Sequence, residues 1–130
     1  MVRCLLDTHA LFWWIFFPEL LPPKVRDLLS KPHTEVFVSA VSAYEMSQKH
    51  HRGRWPEVAI LVSAFEDVIA AEGFDLLPLT ARHAIRAGEY GPEHRDPFDR
   101  MLAAQAVVEG LTLVSRDKGL REMGAETVWG

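Results

Sequence analysis

At 130 residues, 48% hydrophobic and 25% charged, the chain has the size and usage of one globular domain, which excludes wholesale disorder. Its single cysteine, Cys4, excludes an internal disulfide and a cysteine zinc cage. A formal net charge of −4 excludes binding nucleic acid through the overall field, so any such chemistry must rest on a local site.

The elements alternate from the start. Val2 to Leu6 reads as a strand that stops at Asp7-Thr8, and Ala10 to Phe17 as a helix stopped by Pro18. That apolar run is far short of the roughly 20 residues of a membrane span. Asp7 and His9 interrupt the segment after Met1-Val2-Arg3, and no small-residue cleavage site follows, so no signal peptide is expected. Pro22-Pro23 opens a helix to about Leu29, Glu35 to Val38 is a strand, and Ser39 caps a helix to about His51. Trp55-Pro56-Glu57 opens a long helix to about Glu72, and Phe74 to Leu79 is a strand. Thr80 caps a helix over Ala81 to Ala87, and Gly91 to Arg95 is a polar loop. Asp96-Pro97 opens a helix to about Glu109 that Gly110 ends. Leu111 to Val114, a turn at Asp117 to Leu120, and Glu126 to Trp129 complete the chain. Strands alternating with helices predict a three-layer α/β/α sandwich around a mostly parallel sheet of about five strands, one cytoplasmic domain over 1–130.

In open parallel sheets ligands bind beyond the carboxyl ends of the strands. Asp7 follows the first strand directly, and Asp117 lies three residues after Val114. Asp99 shares a helical stripe with Leu102, Ala103 and Ala106, and Glu45 lies four residues after Val41, so both point towards the sheet. Converging carboxylates repel one another, and a hard divalent cation removes that cost. Oxygen-only donors suit magnesium or manganese, and magnesium commonly bridges to phosphate, which points to phosphodiester chemistry. Asp7 and Asp117 also suit helix N-caps. Glu45 does not, because it lies mid-helix, where an unpaired inward carboxylate is costly.

Four segments carry a family resemblance: Leu5-Leu6-Asp7-Thr8-His9-Ala10-Leu11, Ser39-Ala40-Val41-Ser42-Ala43-Tyr44-Glu45, His94 to Ala106, and Glu109 to Asp117. In order and spacing they resemble the signatures of VapC-type PIN-domain proteins over nearly the whole chain. The resemblance implies a PIN-like fold and a magnesium-dependent ribonuclease in which manganese can substitute. It also implies the toxin of a type II toxin–antitoxin pair, commonly dimeric and inhibited by an antitoxin. By position Asp7, Glu45, Asp99 and Asp117 match the family's acidic quartet, with Asp7 and Asp99 as main metal ligands. Thr8, Asp96, Ser115, Arg95 and Arg116 are candidates to support them or touch substrate. Tyr44 stands where tryptophan is common, and the His50-His51 pair is unusual.

Other features suggest other roles. His9 and His94 lie near the acids, but spacing brings no two of the six histidines together for a cyclising reaction. Lys49, Arg52, Arg54, Arg95, Arg100, Arg116 and Lys118 are expected to form a basic rim that reconciles RNA with a net acidic chain. Leu11 to Phe17 is apolar all round, so either Phe12, Trp13, Phe16 and Phe17 leave a surplus face for an antitoxin or second subunit, or they are buried under the following helix. A receiver-like signalling domain would need a lysine at a strand end, which is missing. A catalytically inactive PIN-like module that binds protein or RNA would not need all four acids.

Overall fold

The computed structural model describes residues 2–130. Five strands, β1 (Val2–Leu6), β2 (Thr34–Ser39), β3 (Asp75–Leu77), β4 (Thr112–Val114) and β5 (Thr127–Val128), form one sheet in the order β3-β2-β1-β4-β5. All four pairings are parallel, with Leu6 opposite Val38 on one side and Val114 on the other. Parallel neighbours need crossovers, and helices supply them. α1 (Thr8–Phe16) and α2 (Pro23–Ser30) lead to β2, and α3 (Ala40–His51), α4 (Ala59–Ser63) and α5 (Phe65–Ala71) lead to β3. α6 (Ala81–Gly88) and α7 (Pro97–Glu109) lead to β4, and α8 (Gly119–Glu122) leads to β5. Among the described residues no helix is long and apolar enough to cross a membrane.

Both faces of the sheet are covered, which is why its strands are nearly continuous apolar runs. Cys4 and Leu6 point into one core with Leu11, Val25, Met46 and Ile69. Leu5 and Leu113 point into the other, with Leu102, Ala103 and Ala106 of α7 and Leu120 of α8. Fully burying a leucine stabilises by about 1.5–3 kcal/mol, so these two layers hold the sandwich together. One polar group is fixed between the layers. Buried Gln105 accepts from Ser39 Oγ at 2.5 Å and donates to the Pro78 carbonyl at 3.3 Å. Those bonds pin α7 against the carboxyl ends of β2 and β3 and set the direction of Asp99, less than two turns upstream.

Two expectations are corrected. The helix expected from Trp55 to Glu72 is broken into a 3-10 turn (Pro56–Val58), α4 and α5, with Ala64 off helical geometry at φ −140°, ψ 38°. Ser63 Oγ donates to the Ile60 carbonyl at 2.8 Å beside the break, the local competition with backbone bonding that serine offers. An unbroken helix there would run about 26 Å, whereas β2 spans about 20 Å. The break lets Val58, Leu61 and Ile69 all reach the same core. The third strand is Asp75–Leu77, shorter than Phe74 to Leu79, because Pro78 has no N–H for the ladder.

Of the two alternatives for α1 the structure takes burial, which absorbs most of the aromatic surplus. Phe12 packs on Trp55 at 5.0 Å, Trp13 on Trp129 at 5.7 Å and Trp14 on Phe74 at 5.8 Å between ring centres. Trp14 Nε1 donates to Glu72 Oε1 at 2.7 Å, and Phe16 packs on the same core. Phe17 alone of the four rings in question is exposed, at 42%.

Candidate active site at the carboxyl ends of the strands

From β1 the chain builds outwards to β2 and β3, then returns to place β4 on the other side of β1. The loops leaving β1 and β4 therefore diverge, opening a crevice between them. A cavity of about 480 Å³ lies there, and Asp7, Glu45, Asp99 and Asp117 all line it.

Each acid is placed by its own local structure. Asp7 is extended (φ −74°, ψ 171°), its N–H bonds the Val114 carbonyl at 3.1 Å, and its Oδ1 accepts from Ala10 N at 2.7 Å as the N-cap of α1. Capping and pocket-lining are thus the same residue. Glu45 is buried at 6% exposure, with Oε2 accepting from Lys49 Nζ at 2.5 Å. Thr8 Oγ1 and Ser42 Oγ, 2.9 Å apart, tie α1 to α3 and so hold Asp7 beside Glu45. Asp99 sits in the first turn of α7, whose N-cap is Asp96; Asp96 Oδ1 accepts from Phe98 N at 2.8 Å and Asp99 N at 3.4 Å. Asp117 Oδ1 accepts from Gly119 N at 2.9 Å, and its own N–H donates to Ser115 Oγ at 3.0 Å.

The electrostatics record the crowding. Burial raises the Asp7 pKa, partly opposed by hydrogen bonds from Ser115 and the Ala10 N–H and by His9, while Glu45 adds to the rise. Asp99 is pushed up to about 7, first by burial and then by the charges of Asp96, Asp117, Glu45 and Asp7. Lys49 is the cation in direct contact with the quartet, and it meets Glu45 alone. Among the described residues no three acids already form a tight ligand cage. The donor set is all oxygen and excess negative, which fits a hard divalent cation.

Of the supporting candidates, Thr8, Asp96 and Arg116 line the same cavity, and Ser115 lies buried behind Asp7. Arg95 lines a smaller adjoining cavity that shares Asp96, Asp99 and Asp117. The basic rim is smaller than expected: Lys49, Arg116 and Lys118 line the main cavity, and Arg52 and Arg54 do not. Arg100 is committed elsewhere, donating to the carbonyls of His94, Ala87 and Gly91 at 2.5, 3.0 and 2.6 Å. Of the histidines His9 lines the main cavity and His94 the adjoining one, so no histidine pair shares it. The sequence reading missed the cavity walls Trp13 and Leu102 and the strut Ser42. Ser42, Glu45 and Lys49 recur at three- and four-residue spacing on one helical face, the signal that could have found the strut.

The family model described as PIN domain matches residues 4–126. The chain is 28% identical over 123 residues to Ribonuclease VapC22 of Mycobacterium tuberculosis, covering 93% of this chain and 92% of that protein. Its fold is similar to the crystal structure of VapBC2 from Rickettsia felis bound to a DNA fragment from their promoter, with a TM-score of 0.71 at 15% identity and complete coverage of both chains. It is also similar to FitAcB from Neisseria gonorrhoeae, with a TM-score of 0.66 at 21% identity over 95% of each chain.

Proposed function

The chain belongs to the PIN domain family, and from that premise we propose that it is a metal-dependent endoribonuclease of the VapC type, the toxin of a toxin–antitoxin pair. The observation that carries this reading is the convergence of Asp7, Glu45, Asp99 and Asp117 on one cavity at the switch point of the sheet. Similarity to a ribonuclease over most of both chains supports the reaction class.

Asp7 and Asp99 would hold the cation, magnesium or manganese, from the strand end and the helix start. Glu45 and Asp117 would complete the set directly or through water. When bound, such an ion supplies a nucleophilic water at neutral pH and offsets charge on the phosphate. Ser115 and the Ala10 N–H favour the charged form of Asp7, and Thr8 and Ser42 keep it beside Glu45. Lys49 keeps Glu45 paired inside the protein and stands on the cavity wall, where it would meet an entering phosphate oxygen. In-line attack by water does not use the 2′-hydroxyl, so the products should carry 5′-phosphate and 3′-hydroxyl ends.

An antitoxin protein and a second copy of the chain are the proposed partners, and the cytoplasm the proposed compartment. Exposed Phe17, Leu20, Tyr44, Ile60 and Ile85 offer apolar contacts for association. The test is an RNA digest with magnesium, with manganese and with excess chelator, followed by end mapping. Cleavage with either metal, silenced by chelator and leaving 5′-phosphates, is expected. Undiminished cleavage in chelator would overturn the metal assignment. Binding of RNA without cleavage under any metal would leave the chain a binding module.

A further inference from the structure

A buried amide is costly unless it is hydrogen-bonded, and an apolar side chain of similar size carries no such cost. Gln105 is nonetheless buried at 0% exposure, on the helix that also buries Leu102, Ala103 and Ala106 in the core. Its amide is held from two sides. Ser39 Oγ donates to Gln105 Oε1 at 2.5 Å, and Gln105 Nε2 donates to the Pro78 carbonyl at 3.3 Å. A carbonyl only accepts, so the amide nitrogen faces Pro78 and the amide oxygen faces the serine. Ser39, equally buried, also accepts from Val41 N at 2.9 Å, so its hydroxyl is engaged as both donor and acceptor.

The places these residues hold in the chain say what the bonds control. Ser39 is the N-cap of α3, and Glu45 lies six residues further along. Gln105 lies six residues after Asp99 on α7. At 1.5 Å per residue each acid stands about 9 Å along its helix axis from the one Ser39–Gln105 bond. Pro78 follows the last residue of β3, where the ladder has ended. One buried point therefore ties α3, α7 and β3 together, and none of the three residues lines the acid cavity. The two helices also meet through Tyr44 and Phe98, 5.8 Å apart between ring centres. Such apolar contact is non-directional and tolerates a slide, whereas a hydrogen bond is confined in length and angle.

We propose that Ser39 and Gln105 are positioning residues of the acid site, whose hydrogen bond sets the spacing of Glu45 and Asp99 for one shared divalent cation. This rests on the reading of those acids as the metal site of a nuclease. Magnesium demands near-ideal octahedral geometry, and groups that orient its ligands without touching the ion are typically worth about 10- to 100-fold in affinity. A shift of α7 against α3 leaves each carboxylate in place on its own helix and misplaces the pair. An apolar substitute at 105 would fill the space and release the register.

The test is the manganese affinity of the full chain without RNA, read from the electron paramagnetic resonance of the free ion, beside thermal melting in chelator. Gln105→Met keeps a side chain of similar length and removes both of its bonds. Ser39→Ala removes the partner hydroxyl from the other helix, and decides alone if Gln105→Met does not fold. Each should weaken manganese binding by the folded protein about tenfold. The double variant should bind about as the weaker single one does, because both delete the same bond. His83→Ala controls for lost stability: it should melt at lower temperature and bind manganese as the parent does. Parent-like affinity in Gln105→Met and Ser39→Ala, or an equal loss in His83→Ala, would overturn the positioning role. RNA cleavage by the parent is followed in parallel. A parent that cuts RNA with manganese, while Gln105→Met binds the ion normally, keeps the nuclease and sinks the positioning role. A parent that binds manganese without cutting, and loses affinity in Gln105→Met, keeps the positioning role and sinks the nuclease. A parent that binds no manganese sinks both.

Discussion

Two regions of the molecule gather titratable and charged groups, and they treat them in opposite ways. In the corner between α6 and α7 the buried histidine and the arginine beside it are each fully engaged. His83, fully buried, accepts from Thr80 N through Nδ1 at 3.0 Å and donates through Nε2 to Glu109 at 2.8 Å. Arg100 satisfies three carbonyls that close α6 and the following loop. In the acid pocket four carboxylates face one another, and one lysine touches one of them. Satisfied polar groups hold the structure together, whereas a set of like charges left short of partners is held in readiness for something that arrives from outside.

The comparison breaks most visibly in activity. Asp99→Asn and Asp7→Asn should each lower RNA cleavage by more than about a hundredfold, beyond the 10- to 100-fold typical of residues that merely support a metal ligand. Both proteins should stay folded by circular dichroism, since asparagine also caps α1. Substitutions in the corner should do the reverse. Arg100→Ala, leaving three carbonyls short of a donor, should cost about 2–3 kcal/mol in urea denaturation, and His83→Ala about 2–4 kcal/mol. Metal affinity, measured on the fraction that remains folded, should not change.

A third prediction sharpens the contrast through pH. The folded pKa of Asp99, about 7, lies above its unfolded value of about 4. Its contribution to stability is therefore whole at low pH and lost as pH rises through 7. Melting temperature in chelator should fall between about pH 4 and 7, Asp99→Asn should flatten that fall, and magnesium should raise the melting temperature more at pH 8 than at pH 5.5. An equal magnesium effect at both values would show that the acids do not share the ion. The smallest effect belongs to Asp96→Asn. The cap survives, so stability should change by less than about 0.5 kcal/mol. Loss of the charge next to Asp99 should shift its titration towards acid, readable by NMR of the carboxyl carbon.

Much of this was legible because the signals are local. Asp7 and Asp117 follow strands directly, Pro97 marks Asp96 as the cap and Asp99 as the inward residue, and Gly110 ends α7 with φ 67°. The basic rim was legible only in part. Arg52, Arg54 and Arg100 lie close in sequence to pocket residues, yet which way a long side chain reaches depends on the partners it finds.

Periodicity and strand-end position, both properties of the chain alone, determined the order of layers, the parallel sheet and the four carboxylates that point to its carboxyl edge. Only the tertiary structure decided that the segment from Trp55 to Glu72 bends, because the limit on its length is the sheet it covers. The same holds for the rings of α1, which were apolar on every side in sequence and found cover from Trp55, Phe74 and Trp129. Those partners lie from 43 to 116 residues away from the rings they meet. Nothing within one helix records what the rest of the chain will bring against it.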